Sequence, residues 1–433
     1  MEVNEPNPKY WIRPSTHQTE AGSLPLDWSA AALSDLLSSK QLGGNYKNGA
    51  AETAWPLIKM GNLGRSRIDC KKVEYIHSAE PPCARDRLRA GDVLFNTRNT
   101  LELVGKAAIW RDELPEAYFN SNIMRMGFDA GRVGSNAYMN YVLNTSRSVS
   151  AFRSIATGTT SVAAIYGRDF RNVYLPLPSS KIEQCNIAEA LTDADALFDS
   201  LKQLLTKKRQ IKQGAMQELL TGKRRLPGFS DMWMKSPARE IGVFRGGSGF
   251  PLRAQGEIDG DFPFFKVSDM NTDGNETVMT TARHYVSEGT RKEISATAFP
   301  AGSIVFAKVG AAVFLERKKI LGRASCIDNN MAAFIVDERC AHVEFIHLLL
   351  LSRKLSALVA TTALPALTGK QLGEMQLVIP PVKEQAAIAE VLADMDAELR
   401  ALESHLTKAR ALKQAMAQVL LTGRIRLVEP ATP

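Results

Sequence analysis

The chain has 433 residues, 45% apolar and 23% charged, and its 54 Lys and Arg against 46 Asp and Glu leave a formal charge of +8. At roughly 100 to 200 residues per domain that length calls for two to four units, each able to bury a core, and the composition excludes an acidic disordered protein. The basic excess admits a polyanionic partner; five scattered cysteines (Cys70, Cys83, Cys185, Cys326, Cys340) with no C-x-x-C exclude a zinc ribbon or disulfide framework and fit a reducing cytoplasm.

Residues 1–23 read as an N-terminal extension, because Glu2, Glu5 and three prolines by Pro14 are the opposite of a secretion signal. Residues 24–180 form a strand-rich domain in which the runs Trp55–Leu63, Ala90–Phe95 and Phe119–Ile123 are separated by Gly, Asn and Asp. Residues 181–225 then read as one long helix. Ile187, Leu191, Ala194, Phe198, Leu201 and Leu205 alternate spacings of four and three, a heptad seam broken by Lys208 at the next position. Leu204 and Ile211 are read as seam residues too, and any of these side chains left on the outer face as a docking surface. Pro178 stands before this helix and Gly222 at its C-cap, with Lys223, Arg224 and Arg225 placed against the negative helix end. Lys207, Lys208, Arg209 and Lys212 make a basic cluster that either faces phosphate or is a solvated face.

Residues 226–381 form a second strand-rich domain, with runs Phe262–Met270, Ala301–Phe306 and Ile327–Met331. Its longest apolar stretch, Phe345–Leu351, contains His347 and is far short of a membrane span. Residues 382–427 are a second long helix, introduced by Pro380-Pro381 and closed by Gly423 with Arg424 and Arg426 against its negative end, whose seam is Ile388, Leu392, Met395, Leu399, Leu402, Leu406 and Ala409. A short tail, 428–433, follows.

The two helices are one sequence written twice. Lys212–Gly222 returns 201 residues later as Lys413–Gly423, and at the same offset Glu183-Gln184 matches Glu384-Gln385 and Arg225-Leu226 matches Arg426-Leu427. The runs in the two domains also echo one another, at offsets drifting from 207 through 211 to 208, so a shared scaffold carries divergent loops. Such a pair suits recognition, where loops hold specificity on a rigid frame. Two apolar seams in one chain should pair with each other.

Gly91-Asp92-Val93-Leu94-Phe95-Asn96-Thr97-Arg98, the proline-then-Glu-Gln helix starts and the doubled Leu-Leu-Thr-Gly helix ends carry a resemblance over nearly the whole chain, from about Leu24 to Leu427. The chain resembles the specificity subunit of a type I restriction-modification enzyme. That resemblance implies an α+β fold in which two strand-rich target recognition domains are joined by two long helices forming an antiparallel coiled coil, with a pseudo-twofold internal repeat. It implies a sequence-specific DNA-binding subunit: each domain reads one half of a bipartite double-stranded target, and the helices set the spacer and dock two methyltransferase subunits, which restriction and translocase subunits then join. No cofactor is implied on this chain; S-adenosylmethionine, ATP and magnesium belong to the partners. A cytoplasmic protein without a membrane partner follows.

Catalytic signatures are missing from the sequence. The Pro-Pro pairs follow Glu80 and Ile379 rather than the Asn or Asp of an adenine methyltransferase loop, and Thr368-Gly369-Lys370-Gln371 lacks the flanking residues of a P-loop. His342 and His347 read as packing residues, and Gly246-Gly247-Ser248-Gly249 as a strand-connecting loop. Two other readings stand beside the first: a coiled-coil adaptor for protein partners, and a stand-alone DNA-modifying enzyme. Base edges are read by Arg, Lys, Asn and Gln from loops that enter a groove, so the DNA-contact candidates are Lys40, Gln41, Asn45, Tyr46, Lys47, Arg65, Arg67, Arg98 and Asn99 in the first domain. Those in the second are Arg245, Arg253, Gln255, Arg283, His284, Lys308 and Lys319. Thr159 and Thr160, with Thr361 and Thr362, stand at matching places before the helices. The basic surplus lies in residues 1–180 (21 basic, 17 acidic) and 181–225 (9 and 6), whereas 226–380 is nearly neutral (17 and 16).

Overall fold

A computed structural model describes residues 15–159, 162–359 and 365–427; most of the N-terminal extension, the tail, Thr160, Thr361 and Thr362 lie outside them. The chain divides into two compact units, Met1–Lys202 with His405–Pro433, and Gln203–Ser404. Both cut across the long helices, Lys181–Leu219 and Val382–Leu420, of 39 residues each. A unit is therefore a domain plus the first half of one helix and the second half of the other.

In the first unit a four-stranded antiparallel sheet runs in the order Ala107–Ile109, Val93–Asn96, Ile123–Phe128, Leu37–Leu42. A smaller sheet pairs Tyr118–Phe119 parallel to Pro56–Ile58, and Tyr174–Pro178, which leads into the first long helix, pairs antiparallel with Trp28–Ala32. The second unit repeats this plan: Lys318–Leu321, Ile304–Ala307, Met331–Val336 and Gly242–Gly246 make the larger sheet, with Val278–Met279 added at its edge. Cys326–Ile327 lies parallel to Phe264–Phe265, and Gln376–Ile379 pairs with Met234–Pro237 before the second helix. The echoing runs of the sequence are thus the equivalent strands of two sheets.

Each unit closes a core between sheet, short helix and both long-helix segments. In the first, Phe95, Phe152 and Phe170 pack edge-on beside Ile187, Leu191, Leu420 and Leu421. In the second, Phe306, Phe334 and Phe345 share a core with Leu219, Leu220, Ile388 and Leu392.

Within each unit the helix segments run antiparallel. Lys413 pairs with Asp195 and Arg410 lies 5.5 Å over the Phe198 ring in the first; Lys212 pairs with Asp396 and Lys208 with Glu398 at 2.6 Å in the second. Ile187, Leu191, Leu205, Ile388 and Leu392 are buried, and Ala194, Phe198, Leu201, Met395, Leu399, Leu402, Leu406 and Ala409 are half-buried. Two seam expectations are corrected: Leu204 (39% exposed) and Ile211 (46%) point to solvent, because they fall one position off the heptad stripe. Of the two readings of the basic cluster, ion pairing disfavours the phosphate-facing one and leaves the solvated face. Lys208, Arg209 and Lys212 are neutralised by Glu398, Glu403 and Asp396, so three of its four cations are already paired. Among the described residues no helix is long and apolar enough to cross a membrane.

Candidate nucleic-acid interface

The frame that holds the sheets is set at the helix starts. Glu183 and Glu384 are fully buried. Arg426 grips Glu183 through two nitrogens, Trp28 Nε1 donates to the same carboxylate at 3.1 Å, and Arg426 also forks onto Asp27 at 2.8 and 2.7 Å. Arg225 grips Glu384 at 2.6 and 2.7 Å. Each guanidinium lies 5.7 Å from a tryptophan ring centre, Trp28 or Trp233. Placing these arginines against their own helix ends is therefore corrected: buried carboxylates at the start of the opposite helix outcompete an exposed helix dipole. The neighbouring glutamines tie each helix to its own domain, Gln184 bridging Pro178 O and Gly134 N and Gln385 bridging Pro380 O and His342 N.

Antiparallel order brings two loops to one end of each larger sheet. In the first unit they are Gly43–Lys47 and Thr97–Lys106. In the second they follow Gly246 and span Lys308–Arg317. Gly43 and Gly247 turn the chain where a Cβ would lie 2.1 Å from a carbonyl oxygen, of Phe119 and Asp328 respectively, so only glycine fits.

In the first unit Lys40, Asn45 and Arg98 are exposed, and Asn99 turns its side chain onto Thr100 N. Lys47 is exposed and 3.6 Å from Glu80. Gln41 and Tyr46 are instead held inside a network: Gln41 donates to Asp86 at 2.9 Å and accepts from Arg125 at 2.6 Å, and Tyr46 donates to Asp86. Burial and Asp86 push the Tyr46 hydroxyl up to about 12. Arg67 is tied to the first long helix through Asp195, at 3.0 Å, and Asp199. Arg65 is different. Its Nη1 is buried without a partner, burial and Arg153 hold its pKa below the usual arginine value, and burial and Arg65 do the same to Lys106. Arg65, Lys106 and Arg153 thus gather three cations with no carboxylate at ion-pair distance among the described residues. Sequence reading found only Arg65; for Lys106 the available signal was its counterpart Arg317 at an offset of 211. Thr159 forms a turn with Val162.

In the second unit Arg245 is exposed at the register position of Gln41, and Lys308 reaches toward Gly246. Neither these nor Arg317 has an acidic partner within 4 Å among the described residues. Other candidates are engaged. Gln255 bridges Phe250 O and Lys266, Arg253 pairs with Glu293 at 3.4 Å, Arg283 sits 3.8 Å from Asp269, and Lys319 donates to Glu276 O. His284 Nδ1 accepts from Gly256 N at 3.1 Å, and burial with Lys266 nearby lowers its pKa, favouring the neutral ring. His347 is buried with Nε2 on Lys318 O at 2.9 Å, and Thr368 caps a short helix where a phosphate loop was excluded. No group of three His, Cys, Asp or Glu among the described residues is placed to hold a metal ion.

Two domains of one plan, each braced by long helices and presenting loop cations at a sheet end, define a two-domain scaffold. Residues 231–409 match the model of the type I restriction modification DNA specificity domain. The chain is 24% identical over 437 residues to the protein named as the MjaX type I restriction enzyme specificity subunit of Methanocaldococcus jannaschii, covering 95% of this chain and 96% of the relative. It is 21% identical over 313 residues to the MjaVIII specificity subunit of the same organism, covering 68% and 72%. Its fold is similar to the S subunit of a type I system from M. genitalium (TM-score 0.56, 14% identity, 91% of this chain and 96% of that one). A chain solved in a study of complex assembly and conformational transition of the type I system is also similar (TM-score 0.54, 16% identity, 93% and 99%). Residues 231–409 thus match a type I restriction modification DNA specificity domain, and over nearly its whole length the chain is similar to type I specificity subunits.

Proposed function

We propose that each unit reads one half of a bipartite double-stranded DNA target through the loops at the end of its larger sheet. In this reading the two long helices form an antiparallel coiled coil with pseudo-twofold symmetry, fix the spacer between half-sites and dock two methyltransferase subunits. Restriction and translocase subunits join that core, and S-adenosylmethionine, ATP and magnesium act on those partners. The observation that carries the reading is the repeated sheet end with cations that have no acidic partner among the described residues, Arg98, Lys106, Arg65 and Arg153 in one unit and Arg245, Lys308 and Arg317 in the other. Phosphate contacts need such local positive charge, and base readout needs donors on loops that reach a groove.

Domain exchange tests it. Replacing residues 25–178 by the equivalent domain of a relative, with the methyltransferase subunit present, is expected to change one half of the modified sequence and leave the other. A change in both halves, or in neither with activity retained, contradicts the reading.

A further inference from the structure

The Lys308–Arg317 loop carries a feature that cations do not explain. Phe314 and Leu315 stand side by side at its tip, 57% and 55% exposed, while Val313 beside them is buried and anchors the loop in the domain core. The loop is not free to fold this tip inward. It begins with Gly310 at φ +76°, a conformation glycine supplies, and ends with Glu316 in the left-handed region at φ +54°. The Glu316 carboxylate accepts from Ser356 N at 2.8 Å, Leu355 N at 3.0 Å and the buried Lys318 ammonium at 2.6 Å. Burial works against that charge, but Lys318 and the Ser356 and Leu355 donors outweigh it and bring the carboxyl to about 2, so it stays ionised at any physiological pH. An ordinarily strained position is thus held by three hydrogen bonds, and the result is a rigid apolar point.

We propose that Phe314 and Leu315 form a wedge that enters a base step of the DNA half-site read by this unit. The proposal rests on the DNA-reading function above. Charge chooses the occupant: Lys308 opens the loop and Arg317 closes it, both without an acidic partner among the described residues. A narrow apolar point in a loop that starts and ends on a cation suits stacked bases beside phosphates, and apolar wedges of Phe or Leu with neighbouring Arg and Lys unstack steps in this way. A protein partner would instead call for a broad apolar face. The repeat holds part of this arrangement. At the positions 211 residues earlier, Leu103 (37% exposed) and Lys106 stand for Phe314 and Arg317, whereas Val104 and Thr97, for Leu315 and Lys308, are buried, so the first unit keeps one exposed apolar side chain and one of the two cations.

The test uses the full chain in complex with its methyltransferase subunits. 2-Aminopurine is placed at successive positions of the half-site assigned to this unit by domain exchange, and its fluorescence is read with affinity and methyltransferase binding. The wild-type complex is expected to brighten the probe at one step. F314A with L315A is expected to abolish that signal and weaken specific binding at least tenfold, with the salt dependence of binding unchanged. Both side chains are exposed, so the substitutions leave the core intact, and circular dichroism checks this. R317Q is expected to flatten the salt dependence while keeping the probe signal. No brightening at any step by a wild-type complex that binds its target overturns the wedge and leaves DNA reading standing. Full affinity in the double variant overturns it as well, as does loss of methyltransferase binding in place of the probe signal. A wild-type complex that binds no DNA overturns the proposed function itself.

Discussion

Arg426→Met isolates what the buried clamp contributes. Arg426 is 10% exposed and supplies both of the charge-assisted bonds to Glu183, whose side chain has no solvent contact. Without it the side chain of Glu183 keeps, among the described residues, only the Trp28 indole N–H at 3.1 Å. Breaking a buried pair from one side costs about 3 to 5 kcal/mol, since the remaining charge is left uncompensated. The indole donor offsets part of this, so about 3 kcal/mol is expected. For a unit of this size each kcal/mol shifts the midpoint by about 2 to 4 °C, which gives a fall of about 6 to 12 °C in the transition of the first unit. The double variant Arg426→Met with Glu183→Gln removes the stranded charge and is expected to recover at least half of the loss. Lys208→Met, at the half-exposed pair with Glu398, is expected to cost no more than about 1 kcal/mol. Calorimetry with Trp28 fluorescence reads all three. A loss below about 1 kcal/mol for Arg426→Met, or no recovery in the double variant, refutes the clamp as a buried electrostatic joint.

Three further outcomes are expected. The fragment 24–225 lacks Leu420, Leu421 and Arg426, which complete the first core and clamp, but carries their 201-residue counterparts Leu219, Leu220 and Arg225; it is expected to dimerise in sedimentation and, with methyltransferase, to direct modification to a palindrome, whereas a folded monomer at micromolar concentration contradicts this. The lowered pKa of His284 means that its contribution to stability is present above about 6.5 and is lost as pH falls through the folded value, because protonation removes the acceptor for Gly256 N. Exchange of the Gly256 amide is expected to quicken on acidification, and DNA affinity is not expected to gain from a His284 charge; pH-independent exchange contradicts the assignment. Arg98→Ala and Arg245→Ala are each expected to cost on the order of 1 to 3 kcal/mol of binding and to relax one base position if they read an edge, whereas a uniform loss with a shallower salt slope marks a phosphate contact.

Much of the frame was legible because it depends on local spacing. Heptads marked the helices, Gly222 and Gly423 their ends, and the 201-residue repeat their equivalence. The equivalent strands showed through as faint echoes. Contacts between distant segments were not legible. Nothing near Arg67 in sequence announces Asp195 and Asp199, and nothing near Gln41 and Tyr46 announces Asp86 and Arg125, so residues chosen as free donors proved to be internal ties. Arg225 and Arg426 were assigned to the nearest charge along the chain, whereas burial of Glu384 and Glu183 on the opposite helix decides their partners. Leu204 and Ile211 show the converse, since a leucine near a seam is not thereby in it.

Mapping modified adenines by sequencing DNA from cells that express this chain with its methyltransferase subunit tests the central claim most directly. The account expects one asymmetric motif of two short specified halves separated by a fixed unspecified gap, and a gap altered alone when four residues, about 6 Å of helix, are inserted into each long helix. A single uninterrupted motif, or an unchanged gap in an insertion variant that still modifies DNA, would contradict it.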